Sequence, residues 1–214
     1  MFADRVDAGR QLAAALSAYV DAPDAVVLGI PRGGVVVAAQ VARLLRLPLD
    51  IVLAAKVGAP GNPEFAAGAL TADGELLGNP MAGLGRAELE RVAGAARDKI
   101  ARHVASLRGD LAPLQLAGRT VIVVDDGLAT GLTARAAIRF LRRQGAARVV
   151  LAVPVAAADS ARLLSAEADE LVAVEIRDDF YAVGQFYASF GQTEDAEVRA
   201  LLVDQRNVRP DVAS

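Results

Sequence analysis

The chain of 214 residues has no cysteine, no tryptophan and one histidine, and its aromatic content is only 4%. Without cysteine, disulfides, thiolate catalysis and cysteine-ligated metals are excluded. One histidine argues against a transition-metal centre. The missing thiols also fit a cytosolic protein. A basic excess is absent as well. Lys plus Arg number 23 against 26 Asp plus Glu, a net charge of −3, which gives no support for broad nucleic-acid binding. The longest apolar run, Val149 to Ala158, is interrupted by Pro154 and reaches about half of the roughly 20 residues that a membrane span needs. Met1-Phe2-Ala3-Asp4-Arg5 carries an early acid and no apolar h-region, so it does not read as a signal peptide. The expectation is a cytoplasmic, soluble protein with no nucleic-acid and no membrane partner.

What is present is enough apolar material for a sizeable core: 54% hydrophobic residues, dominated by Ala, Val and Leu. After a predicted helix over Asp4–Val20, short apolar runs alternate with stretches of helical spacing. The runs are Ala25–Ile30, Leu49–Ala55, Thr120–Val124, Val149–Val153 and Glu170–Glu175. They lack strict polar alternation, as strands buried on both faces do. The helical stretches are Val35–Leu45, Ala87–Leu107, Thr133–Gln144 and Ala157–Glu167. Such alternation predicts a doubly wound α/β fold with a mostly parallel sheet. Two segments break the rhythm. Lys56 to Gly85 reads as a long Gly/Pro-rich loop with a hairpin at Thr71-Ala72-Asp73-Gly74. Arg177 to Gln192 gathers Phe180, Tyr181, Phe186, Tyr187 and Phe190, more than half of the aromatic rings in the chain.

The strongest chemical signal is the run from Val121 to Thr133, in which a hydrophobic strand ends in Asp125-Asp126 and a turn of small residues opens a helix. Ligands of open α/β sheets sit at the carboxyl ends of the strands. The amides of Ala129, Thr130, Gly131, Leu132 and Thr133, with the two threonine hydroxyls, suit an anion at a helix N-terminus. Thr133 is the predicted N-cap and Gly145 the stop. The carboxylates upstream suit hydroxyl donors or the water shell of Mg²⁺. A phosphate at one end and vicinal hydroxyls at the other describe a 5-phosphoribosyl group. A helix merely capped by two acids is the plainer alternative. No Gly-x-x-x-x-Gly-Lys-Ser/Thr occurs, which argues against a P-loop nucleotidase.

These thirteen positions resemble the signature for 5-phosphoribosyl-1-pyrophosphate (PRPP) in type I phosphoribosyltransferases, with Gly127 where an aliphatic residue is usual. The resemblance extends from Ala25 to about Gly191. It implies that Asp125 and Asp126 hold the ribose hydroxyls and that Ala129 to Thr133 hold the 5-phosphate. Gly29-Ile30-Pro31-Arg32-Gly33-Gly34 looks like the pyrophosphate loop of the family, which implies a strained or cis peptide at Pro31-Arg32. In that role Arg32, Gly33, Gly34 and Lys56 would bind pyrophosphate, and Lys56 would lead a closing loop. Taken alone, the Arg-Gly-Gly turn could be a connection and Lys56 a solvated lysine.

Glu64 is a candidate general acid or base, or else an exposed loop acid. Phe180 and Tyr181 resemble a base-stacking hood segment, with ordinary core packing an equal reading. His103 reads as a surface residue of a packed helix. Arg139, Arg142 and Arg143 read as complements to a helix C-terminus.

The resemblance implies one phosphoribosyltransferase-like domain over 1–214. Its core would be about 24–176, with a hood from the N-terminus and about 177–192. Asp125, Asp126, Arg32 and Glu64 would serve the transfer of a phosphoribosyl group from PRPP to a nitrogenous acceptor, such as a nucleobase. Mg²⁺ would arrive on PRPP. Asp125 and Asp126 are its only candidate protein contacts, and no direct ligand is assigned. A homodimer would follow the habit of relatives. The rival readings are a non-catalytic PRPP or nucleotide sensor, and a phosphohydrolase or phosphorylase-like use of the same pocket.

Overall fold

The computed structural model describes residues 1–71 and 73–208. In chain order the elements are α1 (Arg5–Ala15), β1 (Ala25–Gly29), α2 (Gly33–Leu45), β2 (Leu49–Ile51), β3 (Ala54–Ala59), β4 (Asn62–Thr71) and β5 (Leu76–Gly78). There follow α3 (Arg86–Arg108), β6 (Thr120–Val124), α4 (Leu132–Arg143), β7 (Arg148–Ala157), α5 (Ala158–Ser165), β8 (Glu170–Arg177) and α6 (Asp195–Val208). β2, β1, β6, β7 and β8 pair in that order, all parallel. The order places β1 and β6 side by side at the centre, so the loops that leave their carboxyl ends are neighbours. The doubly wound, mostly parallel α/β fold expected from the sequence is the one observed.

Burial on both faces explains the missing alternation. Val27, Ile122, Val124, Val150 and Ala152 pack on one side, with α1, α2 and α6. Val26, Leu28, Val121, Val123, Val149 and Leu151 pack on the other, with α4 and α5. Every residue of β1 is buried, as are the last four of β6. Burying a Val or Leu side chain of this kind contributes about 1.5–3 kcal/mol. Asp50 is a buried exception at the sheet edge. Its carboxylate accepts bonds from Arg108 (3.1 Å from Nη2) and from the Leu114 amide (2.9 Å).

Three expectations are corrected. The run Leu49–Ala55 is not one strand: β2 ends at Ile51 and β3 leaves for a separate antiparallel sheet, β3-β4-β5. Lys56 therefore lies inside β3, opposite Ala69, rather than at the end of a parallel strand. The segment Lys56 to Gly85 is largely this sheet and not a long loop. Its strands are rich in Gly and Ala, weak strand formers, and packing supplies what propensity lacks: Val57 and Leu70 form a small core with Ala93 of α3. The expected hairpin does join β4 to β5. Gly74 donates to the Thr71 carbonyl at 3.0 Å, and the Thr71 amide to Glu75 at 3.0 Å, while Ala72 is outside the described residues.

Helix α6 was not anticipated; it buries Val198 and Leu202 in the core shared with α2. The α4 arginines tie elements together. Arg142 pairs with Asp169 (2.8 Å), and Arg143 with Asp73 (3.0 Å) and Glu75. Among the described residues, no helix is long and apolar enough to cross a membrane.

Candidate functional site

The loop after β6 is held on every side. Leu128 donates to the Val155 carbonyl (2.8 Å) and accepts from Ala157 (2.9 Å), which bridges the loop to the far end of β7. The hydroxyl of buried Ser160, in α5, donates to the Ala129 carbonyl. Gly131 then turns the chain with φ of 70°, a left-handed value that glycine adopts without steric cost. A Cβ there would also lie 2.9 Å from Leu164 Cδ1. The predicted cap is corrected. Gly131, not Thr133, is the N-cap, no side chain caps the helix, and its carbonyl takes the first helical bond from Arg135 (2.8 Å). The left-handed turn places Thr133 within the first helical turn instead. Asp125 and the residues from Gly127 to Ala134 surround a cavity of about 120 Å³ at this helix N-terminus. Such a position, with unpaired amides and the positive end of the helix dipole, suits an anion.

The loop after β1 meets the acidic pair directly. Ile30 donates to the Val124 carbonyl at 2.8 Å, and the Pro31–Arg32 peptide is cis. Gly33 and Gly34 have no space for side chains. A Cβ on Gly33 would lie 2.0 Å from Asp126 Oδ2, and one on Gly34 2.9 Å from the Asp125 Cα. Among the described residues, Arg32, at 36% side-chain exposure, pairs with Asp195 Oδ1 of α6, at 3.8 Å. His103 of α3 approaches that same oxygen with Nε2 at 3.2 Å.

Around the pair itself, the Asp125 carboxylate accepts the Asp126 amide at 2.9 Å. Arg5 Nε donates to Asp126 Oδ2 at 2.7 Å, and the Tyr187 hydroxyl donates to the Asp126 carbonyl at 2.5 Å. Burial, and after it the charge of Asp126, pushes the Asp125 carboxyl well above the ordinary range, with Arg5 opposing the shift. Burial likewise raises the Tyr187 phenol, which stays a neutral donor. The space that a side chain at position 127 would fill belongs to Val183, whose Cγ1 would be 2.5 Å from a Cβ there. That contact accounts for glycine where the family pattern has an aliphatic residue.

The structure thus brings together Arg32, Gly33, Gly34, Asp125, Asp126 and Ala129 to Thr133. Lys56 stands exposed on the second sheet, and Glu64 lies in β4 with its side chain outside the described atoms. Phe180 packs its ring on Phe186 (centroids 4.9 Å apart), whereas Tyr181 is 91% exposed. Sequence reasoning missed Arg5, Tyr187 and Asp195 as neighbours of the site. Tyr187 had a signal in the aromatic-rich segment. Arg5 had none, because its contact closes a gap of 121 residues. Among the described residues, no group of three or more His, Cys, Asp or Glu could hold a metal ion. With Asp126 Oδ2 taken by Arg5, the donor set fits a cation carried by a ligand better than a protein cage.

Comparisons with known proteins identify the family and the fold. The family model for the phosphoribosyl transferase domain matches residues 3–190. A Mycobacterium tuberculosis protein whose name places it among the phosphoribosyl transferases is 42% identical over 206 residues, or 94% of this chain. The chain spans about half (46%) of the length of that relative. The crystal structure of TT1426 from Thermus thermophilus superposes with a TM-score of 0.79 at 45% identity, covering 96% of this chain and 99% of the other. A Neisseria gonorrhoeae protein solved with bound ppGpp shares the fold, with a TM-score of 0.50 at 16% identity over 96% of this chain and 97% of that one. On the family match and these relatives, the chain belongs to the phosphoribosyl transferase family.

Proposed function

We propose that this protein transfers the 5-phosphoribosyl group of PRPP to a nitrogenous acceptor and releases pyrophosphate. One observation carries the reading. Gly33 and Gly34 lie flush against Asp126 and Asp125, and the helix N-terminus of Ala129 to Thr133 opens beside Asp125. An anion site, a pair of hydroxyl acceptors and a second anion loop therefore follow one another along a path suited to PRPP. Asp125 and Asp126 accept the ribose hydroxyls, and the amides of Ala129 to Thr133 with the Thr130 and Thr133 hydroxyls hold the 5-phosphate. Arg32 and the Gly33-Gly34 amides hold the pyrophosphate, with Arg32 able to bind it bidentately.

The chemistry asked of the chain is positioning and electrostatic stabilisation. C1 of the ribose loses pyrophosphate as the acceptor nitrogen approaches, and Arg32 offsets the charge that builds on the leaving group. Bound Mg²⁺ would screen the pyrophosphate oxygens, arriving with PRPP and touching Asp125 and Asp126 at most. Lys56 and Glu64, on the second sheet, are assigned to pyrophosphate closure and to proton transfer. The N-terminus and residues 177–192 form the hood, with Phe180 and Tyr181 as the base-facing rings. The whole forms one domain that pairs as a homodimer.

The test is pyrophosphate release from PRPP and Mg²⁺ with a panel of nucleobases and small amines. Release that depends on one acceptor supports the transferase. Tight PRPP binding with no release for any acceptor favours a sensor on the same fold. Phosphate release without pyrophosphate favours a hydrolytic use of the pocket.

A further inference from the structure

Arg5 stands at the start of α1, far in sequence from every loop of the site, yet it makes the closest charged contact with the acidic pair. Its side chain is 13% exposed, and that of Asp126 is 16%. Three contacts fix the guanidinium. Nε donates to Asp126 Oδ2 at 2.7 Å, Nη1 donates to the Gly191 carbonyl at 2.7 Å, and Cζ sits 3.9 Å over the centroid of the Phe190 ring. Phe190 in turn packs on Tyr187 at 5.0 Å, whose hydroxyl grips the Asp126 carbonyl. The residues before α1 are woven into the same segment. Phe2 donates to the Phe186 carbonyl and accepts from Ala188, each at 2.8 Å, and Ser189 donates to Ala3 at 2.9 Å. Asp126 is therefore held twice from one side, through its carboxylate and through its backbone.

The direction of the hold has a consequence. Arg5 holds Oδ2, so the orientation of the whole carboxylate beside Asp125 is set by this contact. The same contact fills the space over Gly33, where a Cβ would lie 2.0 Å from Oδ2 and 2.7 Å from Arg5 Nε. A carboxylate fixed before binding loses less conformational freedom when a hydroxyl arrives.

We infer that Arg5 is a positioning residue for the ribose-binding acid: it sets the orientation in which the Asp126 carboxylate meets the sugar hydroxyls and couples the assembly of the hood to that orientation. The inference rests on the PRPP reading above and adds to it a residue outside both signature loops. The contacts of Arg5 are to Asp126, Gly191 and Phe190, so its expected effect is on the sugar rather than on the anion. A ligand without ribose should be indifferent to it. A brace that merely held the hood in place would instead weaken all ligands together, or lower stability with no change in binding.

The experiment is calorimetric titration of the full chain with Mg-PRPP and, separately, with Mg-pyrophosphate, for wild type, Arg5→Met and Arg5→Lys. Met keeps the apolar stem, and Lys keeps the charge without the guanidinium fork. The expected result for Arg5→Met is a roughly ten- to hundredfold loss of PRPP affinity, the size of one charge-assisted hydrogen bond, with pyrophosphate affinity unchanged. Arg5→Lys should recover part of the PRPP loss. Equal losses for both ligands, or PRPP affinity unchanged or tighter in Arg5→Met, would overturn the inference. If Arg5→Met does not fold, the Lys variant decides by the same ratio of the two affinities. A wild type that binds pyrophosphate but not PRPP overturns the inference and the ribose assignment. One that binds neither overturns the PRPP reading and the inference with it.

Discussion

The two loops that face each other across the top of the sheet are held in different ways. The loop after β6 is tied to β7 through Leu128, to α5 through Ser160, and to the aromatic segment through Tyr187. The loop after β1 is fixed at its glycines by the lack of space, but its one charged side chain is almost loose: Arg32 is 36% exposed and its ion pair to Asp195 spans 3.8 Å. In the proposed PRPP reading, the rigid side would face what is constant in a phosphoribosyl ligand, the ribose and its 5-phosphate, and the loose side the group that leaves. Preorganisation where geometry must be kept and freedom where a product must depart is the arrangement that the transfer reading requires.

Four substitutions sharpen or break this contrast. The largest effect is expected from Gly33→Ala, which drives a methyl group into the Arg5–Asp126 pair. Overpacking of this kind costs about 1–3 kcal/mol of stability, and Mg-PRPP affinity should fall by roughly a hundredfold as the pair is forced apart. Calorimetry together with thermal melting measures both. Survival of PRPP binding would mean that the rigid side is not rigid.

Next comes Arg32→Gln. It should weaken Mg-pyrophosphate and Mg-PRPP alike, by roughly tenfold, through one lost charge-assisted bond, and leave the melting temperature near that of the wild type. A larger stability loss than binding loss would show Arg32 to be structural.

Asp125→Asn should move stability in the opposite direction. Burial, then the Asp126 charge, raises the Asp125 carboxyl, so the folded chain keeps a proton there that the unfolded chain releases at lower pH. The stability tied to that proton is full below the ordinary carboxylate range and is lost as pH rises through the raised value. At neutral pH the uncharged Asn should therefore melt higher, by about 2–4 °C for each kcal/mol relieved. The gain should vanish in acid. Scanning calorimetry across pH reads the sign, and a lower melting temperature at neutral pH would contradict the account.

The smallest effect belongs to Asp195→Asn. An exposed, long ion pair contributes about 0–1 kcal/mol, so freeing Arg32 should tighten Mg-pyrophosphate by less than roughly fivefold. Weaker binding would mean that Asp195 aims Arg32 and does not merely occupy it.

The same contrast separates what the sequence made legible from what it did not. The parallel sheet, apart from the end of β2, and both signature loops could be read because their pattern is local: runs rich in Val, Ile and Leu, then turn residues that open helices. Asp125, Asp126 and Gly131 fell where a strand-to-helix turn put them. The Gly- and Ala-rich β3 and β4 gave no such pattern, since their strand state comes from cross-strand pairing and from the Val57, Leu70 and Ala93 contacts. The Thr133 cap failed for a different reason. A left-handed Gly131 can replace a capping side chain, and residue type alone does not tell the two apart. Helix α6 had readable signs, acids in its first turn and apolar residues at 198, 201 and 202, but it follows the segment where the family pattern ends. Arg5, Tyr187 and Asp195 reach the site only by chain closure, which no window of sequence contains.

The central claim, that the acidic pair and the two anion loops form one PRPP site, is tested most directly by calorimetric titration with PRPP and Mg²⁺. The native chain is compared with the Asp125→Asn/Asp126→Asn double variant. The account predicts binding by the native chain and its loss in the variant, each missing charge-assisted bond costing about 1.5–3 kcal/mol. No binding by the native chain at millimolar PRPP with Mg²⁺ present, or equal binding by the variant, would contradict it.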